Sequence, residues 1–159
     1  MKTLHLEKHG LRGLAIAESF LQNSKKSILA GLVTTSDFII DGFIFGRSTV
    51  GGDDATDTIL SMYTKLNRSD INFILISGIV ISLYNIVDIK KISQKTELPV
   101  IGVTYNNSDS IQDAIKHHFP NSYNSKLDQY SKLDSRKEIT LHTSYNLYIR
   151  NEGCTVLEA

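Results

Sequence analysis

Residues 71–105 constrain the fold of this chain more than any other stretch. Ile71 to Ser77 (INFILIS) is a nearly continuous apolar run, the pattern of a strand in a sheet covered on both faces. After a loop around Gly78 to Tyr84, Asn85 stands where it can cap a helix running to about Thr96. That helix carries Ile86, Val87, Ile89 and Ile92 on its inner face. Leu98-Pro99 punctuates the segment, and Val100 to Tyr105 (VIGVTY) reads as a second buried strand. Strand, helix and strand in this order predict a right-handed parallel crossover. The fold class expected is therefore α/β. Alternation within the two strands is weak, and Phe73, Leu75, Ile101 and Val103 are the side chains expected to be nearly fully buried.

The preceding residues have a different rhythm. Leu11 to Phe20 (LRGLAIAESF) reads as a short buried strand ending in a turn. Lys26 to Thr34 and Phe38 to Ser48 are rich in β-formers and are joined by the polar turn Thr35-Ser36-Asp37. Three such runs suggest an antiparallel meander, with Ile71–Ser77 beside Leu11–Ala17 and Val100–Tyr105 beyond it. Asp41-Gly42 inside the third run marks either a bulge or a second turn. Gly51-Gly52 forms a loop, after which Asp53 or Asp54 is placed to N-cap a helix through its carboxylate. Ile59, Leu60, Met62, Tyr63 and Leu66 follow at helical spacing, and the helix is expected to stop near Asn67.

Asn106-Asn107-Ser108-Asp109 opens a further helix through His118, which Pro120 ends. Residues 121–137 are polar, consistent with a loop holding a short helix, and Ile139 to Ile149 holds one or two edge strands. The region 121–159 is expected to be partly irregular, with a loose tail beyond Asn151. With 159 residues and no linker or repeat, the expectation is one domain over 1–159. Hydrophobic residues at 41% and charged residues at 21% are near the globular average, so disorder is not the default.

Lys plus Arg and Asp plus Glu both number 17, so the net charge is zero, which argues against a protein that coats nucleic acid by bulk charge. The lone Cys154 cannot pair within the chain. It reads as a packed or surface thiol, and a reducing cytoplasm is the expected compartment. The polar start MKTLHLEKHG lacks a signal-like apolar stretch, and no apolar run approaches the ~20 residues of a membrane span.

No phosphate loop, dinucleotide fingerprint, zinc spacing or nucleophile elbow is present. His117 and His118 are helix neighbours that face different ways, and one of them can complement the dipole at the helix end. What remains is a set of acids at strand ends and helix starts: Glu18, Asp53, Asp54 and Asp88. Carboxylates gathered at one sheet edge suit a hard cation such as Mg²⁺, which activates water against a phosphodiester. Their alternative roles are structural: Asp53 or Asp54 as a cap, Asp88 in a first helical turn, Glu18 exposed.

The run STVGGDDATDTI, followed by ILISGIVISLYNIVDIKKISQKTELPVIGVTY, resembles the archaeal domain of unknown function, family ninety-nine. Lys8 to Phe20 resembles that family's opening strand, so the likeness covers most of residues 8–120. Asp54-Ala55-Thr56, Asn85 with Val87-Asp88-Ile89, and Leu98-Pro99-Val100 fall in order at matching spacing. The family resembles endonuclease V, which implies a ribonuclease H-like mixed sheet, three antiparallel strands and then parallel ones, flanked by helices. It also implies metal-binding acids at the first strand, before the first helix and at the end of the fourth strand. Here the first strand ends in Ala17-Glu18-Ser19 where the family has two successive Asp residues and a Gly. The fourth ends in Ser77-Gly78 in place of Asp-Gly. The loop before the first helix keeps only the last acid of its Asp-Gly-x-Asp. No His of the endonuclease V type follows Gly78.

The function expected is that of an endonuclease V-like protein with impaired catalysis that binds nucleic acid or a protein partner. Arg12, Arg47 and Arg68, with Lys65, are the candidate phosphate contacts if they share a face. Glu18 and Asp54 are the candidate metal ligands, with Asp88 a further catalytic candidate. No cofactor is expected, and Mg²⁺ only weakly. Two alternatives stand beside this one. The chain is a Mg²⁺-dependent nuclease or phosphoesterase using those three acids, or an interaction module whose edge strand pairs with itself or a partner, as in a homo-oligomer.

Overall fold

The computed structural model describes residue 4, residues 10–106 and residues 111–159. Three strands come first: β1 (Arg12–Ser19), β2 (Lys26–Thr35) and β3 (Ile40–Thr49). They form the expected antiparallel meander. The β2–β3 register shifts so that Val33 faces Gly42 and Thr34 faces Ile40, which leaves Asp41 as the extra residue of a bulge. Of the two readings of Asp41-Gly42, the structure takes the bulge.

Helix α1 (Ala55–Leu66) crosses back over this meander and packs on β3. Gly46 permits the close approach, because a Cβ there would stand 2.5 Å from Met62 Sδ. The helix ends at Asn67, whose φ of 49° is left-handed. Strand β4 (Phe73–Ser77) then pairs with β1 in parallel. A two-stranded ribbon follows, β5 (Val80–Ile81) with β6 (Asn85–Ile86). Helix α2 (Ile89–Thr96) leads into β7 (Val100–Thr104), which lies parallel to β4. The crossover is as expected, but its helix starts later. Asp88 is the cap, and its Oδ1 accepts from the Lys91 N–H at 2.9 Å, while Asn85 belongs to the ribbon.

Helices α3 (Ile111–His118) and α4 (Tyr123–Ser131) precede two more strands, β8 (Lys137–Thr140) and β9 (Asn146–Glu152). The expected opening of α3 at Asn107-Ser108-Asp109 and the stretch 1–3 and 5–9 lie outside the described residues. Strand β9 inserts antiparallel beside β7, so the sheet runs β3-β2-β1-β4-β7-β9-β8. Residues 121–159 are thus mostly regular. Beyond Asn151 the chain is held too, since Asn151 Nδ2 donates to Cys154 O and Glu158 accepts from Thr155. No helix among the described residues is long and apolar enough to cross a membrane.

Side-chain parity divides the sheet into two unlike faces. Leu14, Ile16, Leu29, Val33, Ile74, Ile76 and Val100 lie on the face that α1 and α2 cover, and all are buried. The opposite parity carries Phe73, Leu75 and Val103, which are only half-buried. Of the four side chains expected to be nearly fully buried, Ile101 alone is, at 2% exposed. The neighbouring residues Ile74 and Ile76 take the core. The reason is physical: the described residues do not cover the second face of the sheet along its whole width, so the two parities of an apolar strand differ in burial.

Candidate functional site

Because β3 runs parallel to β1, the carboxyl ends of β1, β3 and β4 lie at one end of the sheet. Ala17 and Glu18 sit at that end on β1, Ser77 on β4, and the loop carrying Asp53 and Asp54 follows β3. A cavity of about 410 Å³ opens there, lined by Glu18, Phe20, Ser77, Gly78, Leu83 and Tyr84 among others. One wall is unusual backbone. Ser82, Leu83 and Tyr84 have φ values of 44°, 53° and 63°, three successive non-glycine residues in the left-handed region. Each such residue costs roughly 1–2 kcal/mol, so the surrounding contacts must hold the turn in place.

Those contacts are hydrogen bonds. The buried Ser82 hydroxyl donates to Glu18 Oε1 at 2.5 Å and lies 2.7 Å from Ser27 Oγ, which in turn is 2.8 Å from Ser48 Oγ. Ser82 Oγ is placed to donate to Glu18 and to Ser27 alike, and between Ser27 and Ser48 either hydroxyl can be the donor. Gly51 N–H donates to Ser82 O at 2.7 Å, so the loop before α1 clasps the same turn. Tyr84 packs against His118 and Phe119 at the end of α3.

Asp54 occupies the N-cap position of α1, but its carboxylate makes no cap bond. It reaches back to β3. Thr49 N–H donates to Oδ1 at 2.8 Å, Thr49 Oγ1 to Oδ2 at 2.7 Å, and Asn85 Nδ2 to Oδ1 at 2.9 Å. Burial works to raise the Asp54 pKa, but these hydrogen bonds outweigh it and hold the carboxyl below its usual value. The first helical N–H is instead satisfied from afar, by Asn85 Oδ1 at 3.1 Å from Ala55 N. The expectation of an aspartate side-chain cap at α1 is therefore corrected. A fully buried amide from another element does the work, while Asp54 ties the loop to the strand. Asp53 accepts from Lys126 Nζ at 2.7 Å, and that lysine is itself 4% exposed and bonded to Gly52 O.

The remaining candidates lie apart. Asp88 is exposed and bound into its own helix cap. Arg12 and Arg68 stand at the opposite end of the sheet, where both donate to Asp41 Oδ2, at 2.6 and 2.7 Å, and Arg68 also grips Asp70. Arg47 points outward from β3, and Lys65 closes the last turn of α1. The three arginines are not brought together, and two of them are already neutralised by carboxylates. Ser82, Ser27, Ser48 and Lys126 escaped the sequence reading, since no ligand spacing sets them apart, and Asn85 was read there only as a helix cap.

The fit of this end of the sheet to a pair of divalent cations is poor. The positions Ala17, Glu18, Asp54 and Ser77 hold two carboxylates, and both oxygens of Asp54 are already acceptors within the fold. Among the described residues no three His, Cys, Asp or Glu side chains converge as a cation would need.

Residues 9–159 match the family model described as endonuclease dU. A UPF0215 protein of Pyrobaculum calidifontis is 27% identical over 147 residues, which span 92% of this chain and 80% of that one. The crystal structure of a protein of unknown function from Archaeoglobus fulgidus superposes with a TM-score of 0.74 at 25% identity, across 93% of this chain and 82% of that one. Endonuclease V of Ciona intestinalis, solved in complex with an inosine-containing DNA, superposes with a TM-score of 0.57 at 9% identity, across 100% and 79%. At that identity the likeness is one of fold, the ribonuclease H-like mixed sheet expected from the sequence.

Proposed function

The chain belongs to the endonuclease dU family, and on that premise we propose that it binds nucleic acid at the carboxyl end of its parallel strands without cutting it by metal-dependent chemistry. The observation that carries this reading is the donor set. Two-metal cleavage uses acids that bridge cations about 3.5–4 Å apart. Here Ala17 and Ser77 supply no carboxylate, Asp54 is engaged on both oxygens, and Glu18 accepts from Ser82. Binding has separate support. Phe20 and Leu21 are exposed at this end, Tyr84 lines the cavity, and Lys25 stands exposed at the same end. Aromatic faces beside a cation suit an unstacked base and its phosphates.

The test is a titration of DNA carrying deoxyuridine or inosine, and of single-stranded DNA and RNA, with and without Mg²⁺ or Mn²⁺. The expected result is salt-sensitive binding with no strand cleavage, weakened by Tyr84→Ala. Restoring acids should matter for the metal alone. Ala17 and Ser77 lie one step beyond the last paired residues of neighbouring parallel strands, on the same face. Ala17→Asp with Ser77→Asp should therefore tighten Mn²⁺ binding, more than either change by itself. Mg²⁺-dependent cleavage by the natural protein, abolished by Asp54→Asn, overturns the proposal and establishes the nuclease.

A further inference from the structure

The β2–β3 half of the sheet is apolar on the face that no helix covers among the described residues. Side chains of one parity, Ile28, Leu32, Phe43 and Phe45, are 50%, 36%, 70% and 63% exposed. Phe38 and Ile40 at the hairpin continue the patch at 89% and 64%. Fully exposed side chains of this size present roughly 150–250 Å² each, so the patch offers on the order of 800 Å², the share each partner contributes to a standard interface. A contiguous apolar surface of that size exceeds what monomers usually leave bare.

We propose that this face is covered by a second copy of the chain, sheet against sheet about a two-fold axis. Charge argues for self-association over a foreign partner. Arg47 stands at one end of the patch and Asp37 at the other, on the turn joining β2 to β3. Both are exposed, and neither has an ion-pair partner among the described residues. A two-fold axis parallel to the sheet and perpendicular to its strands reverses one copy relative to the other and sets each Arg47 against the partner's Asp37. The paired faces would interdigitate like the inner layers of a β-sandwich. Edge pairing through β3 would not achieve this, because adding strands in the same plane leaves Phe43 and Phe45 exposed.

Sedimentation velocity of the full chain across nanomolar to high-micromolar concentration tests the arrangement. The expected result is a concentration-dependent dimer. Phe43→Lys with Phe45→Lys should raise its dissociation constant by at least about thirtyfold while leaving the circular dichroism and thermal transition of the monomer intact. Arg47→Asp and Asp37→Arg should each weaken the dimer, and the two together should recover it, since all four positions are exposed and the swap restores the pairing. A monomer at every concentration, as would follow if a partner of another kind covers this face, overturns the proposal. So does a dimer indifferent to the two lysine changes.

Discussion

Asn85 shows how much one side chain organises. It is 0% exposed, its Oδ1 accepts from Ala55 N–H, and its Nδ2 donates to Thr49 O and to Asp54. Helix, strand and loop meet on this amide, and each bond left unmade in the interior costs about 1–3 kcal/mol. Asn85→Ala should therefore lower the unfolding free energy by about 2–4 kcal/mol in denaturant titrations. A loss below about 1 kcal/mol would show that water replaces it freely. None of this was visible in the sequence, where Asn85 reads as the local cap of α2 and Asp53 or Asp54 as the cap of α1. Spacing reports neighbours along the chain, and the partner of Ala55 N–H is thirty residues away. The acid cluster at the other end of the sheet has its own signature. Asp70 is held down at about 2, mainly by hydrogen bonds from Arg68 against the opposing effect of burial, and Asp41 is lowered by Arg68 and then Arg12. A depressed carboxyl favours the folded state above its unfolded value, near about 4, and the benefit is lost as pH falls toward 2. Asp70→Asn should flatten the decline in stability across that window, as measured by urea unfolding at stepped pH. Its effect should shrink in high salt, because both side chains are partly exposed.

At the scale of elements, the two parities of β4 make opposite predictions. Ile74 is fully buried against α1 and α2, whereas Leu75 on the other face is only half-buried. Ile74→Ala should cost roughly 2–5 kcal/mol, and Leu75→Ala distinctly less, in paired denaturation curves. Equal costs would mean that the second face is closed in solution. The elements themselves were legible: the meander, α1, β4, α2 and β7 all follow from apolar runs and turn residues, and the bulge sits at Asp41-Gly42 as the local sequence allows. What could not be read was which side of β4 faces the core. In INFILIS both parities are apolar, so periodicity carries no information about the face. The late start of α2 has a similar cause, since Ile86 and Val87 are as apolar in a ribbon as in a helix.

For the whole molecule, the ribonuclease H-like sheet was legible because order and spacing of strands survive where single residues change. The candidate site was legible only as a place: the carboxyl ends of the strands lie together, but the groups there bond to one another and leave few donors for a ligand. The sheet also has a consequence for the order in which this chain is made. β7 lies between β4 and β9, yet β9 is formed by residues 146–152, well after residues 100–104. At roughly 5–20 residues per second, β7 leaves the ribosome seconds before its second partner exists. During that interval Val100-Ile101-Gly102-Val103 is an unprotected apolar edge, open to pairing with any other extended chain. The nascent protein is therefore most vulnerable to aggregation just before β9 is synthesised, and chaperone capture should be concentrated there.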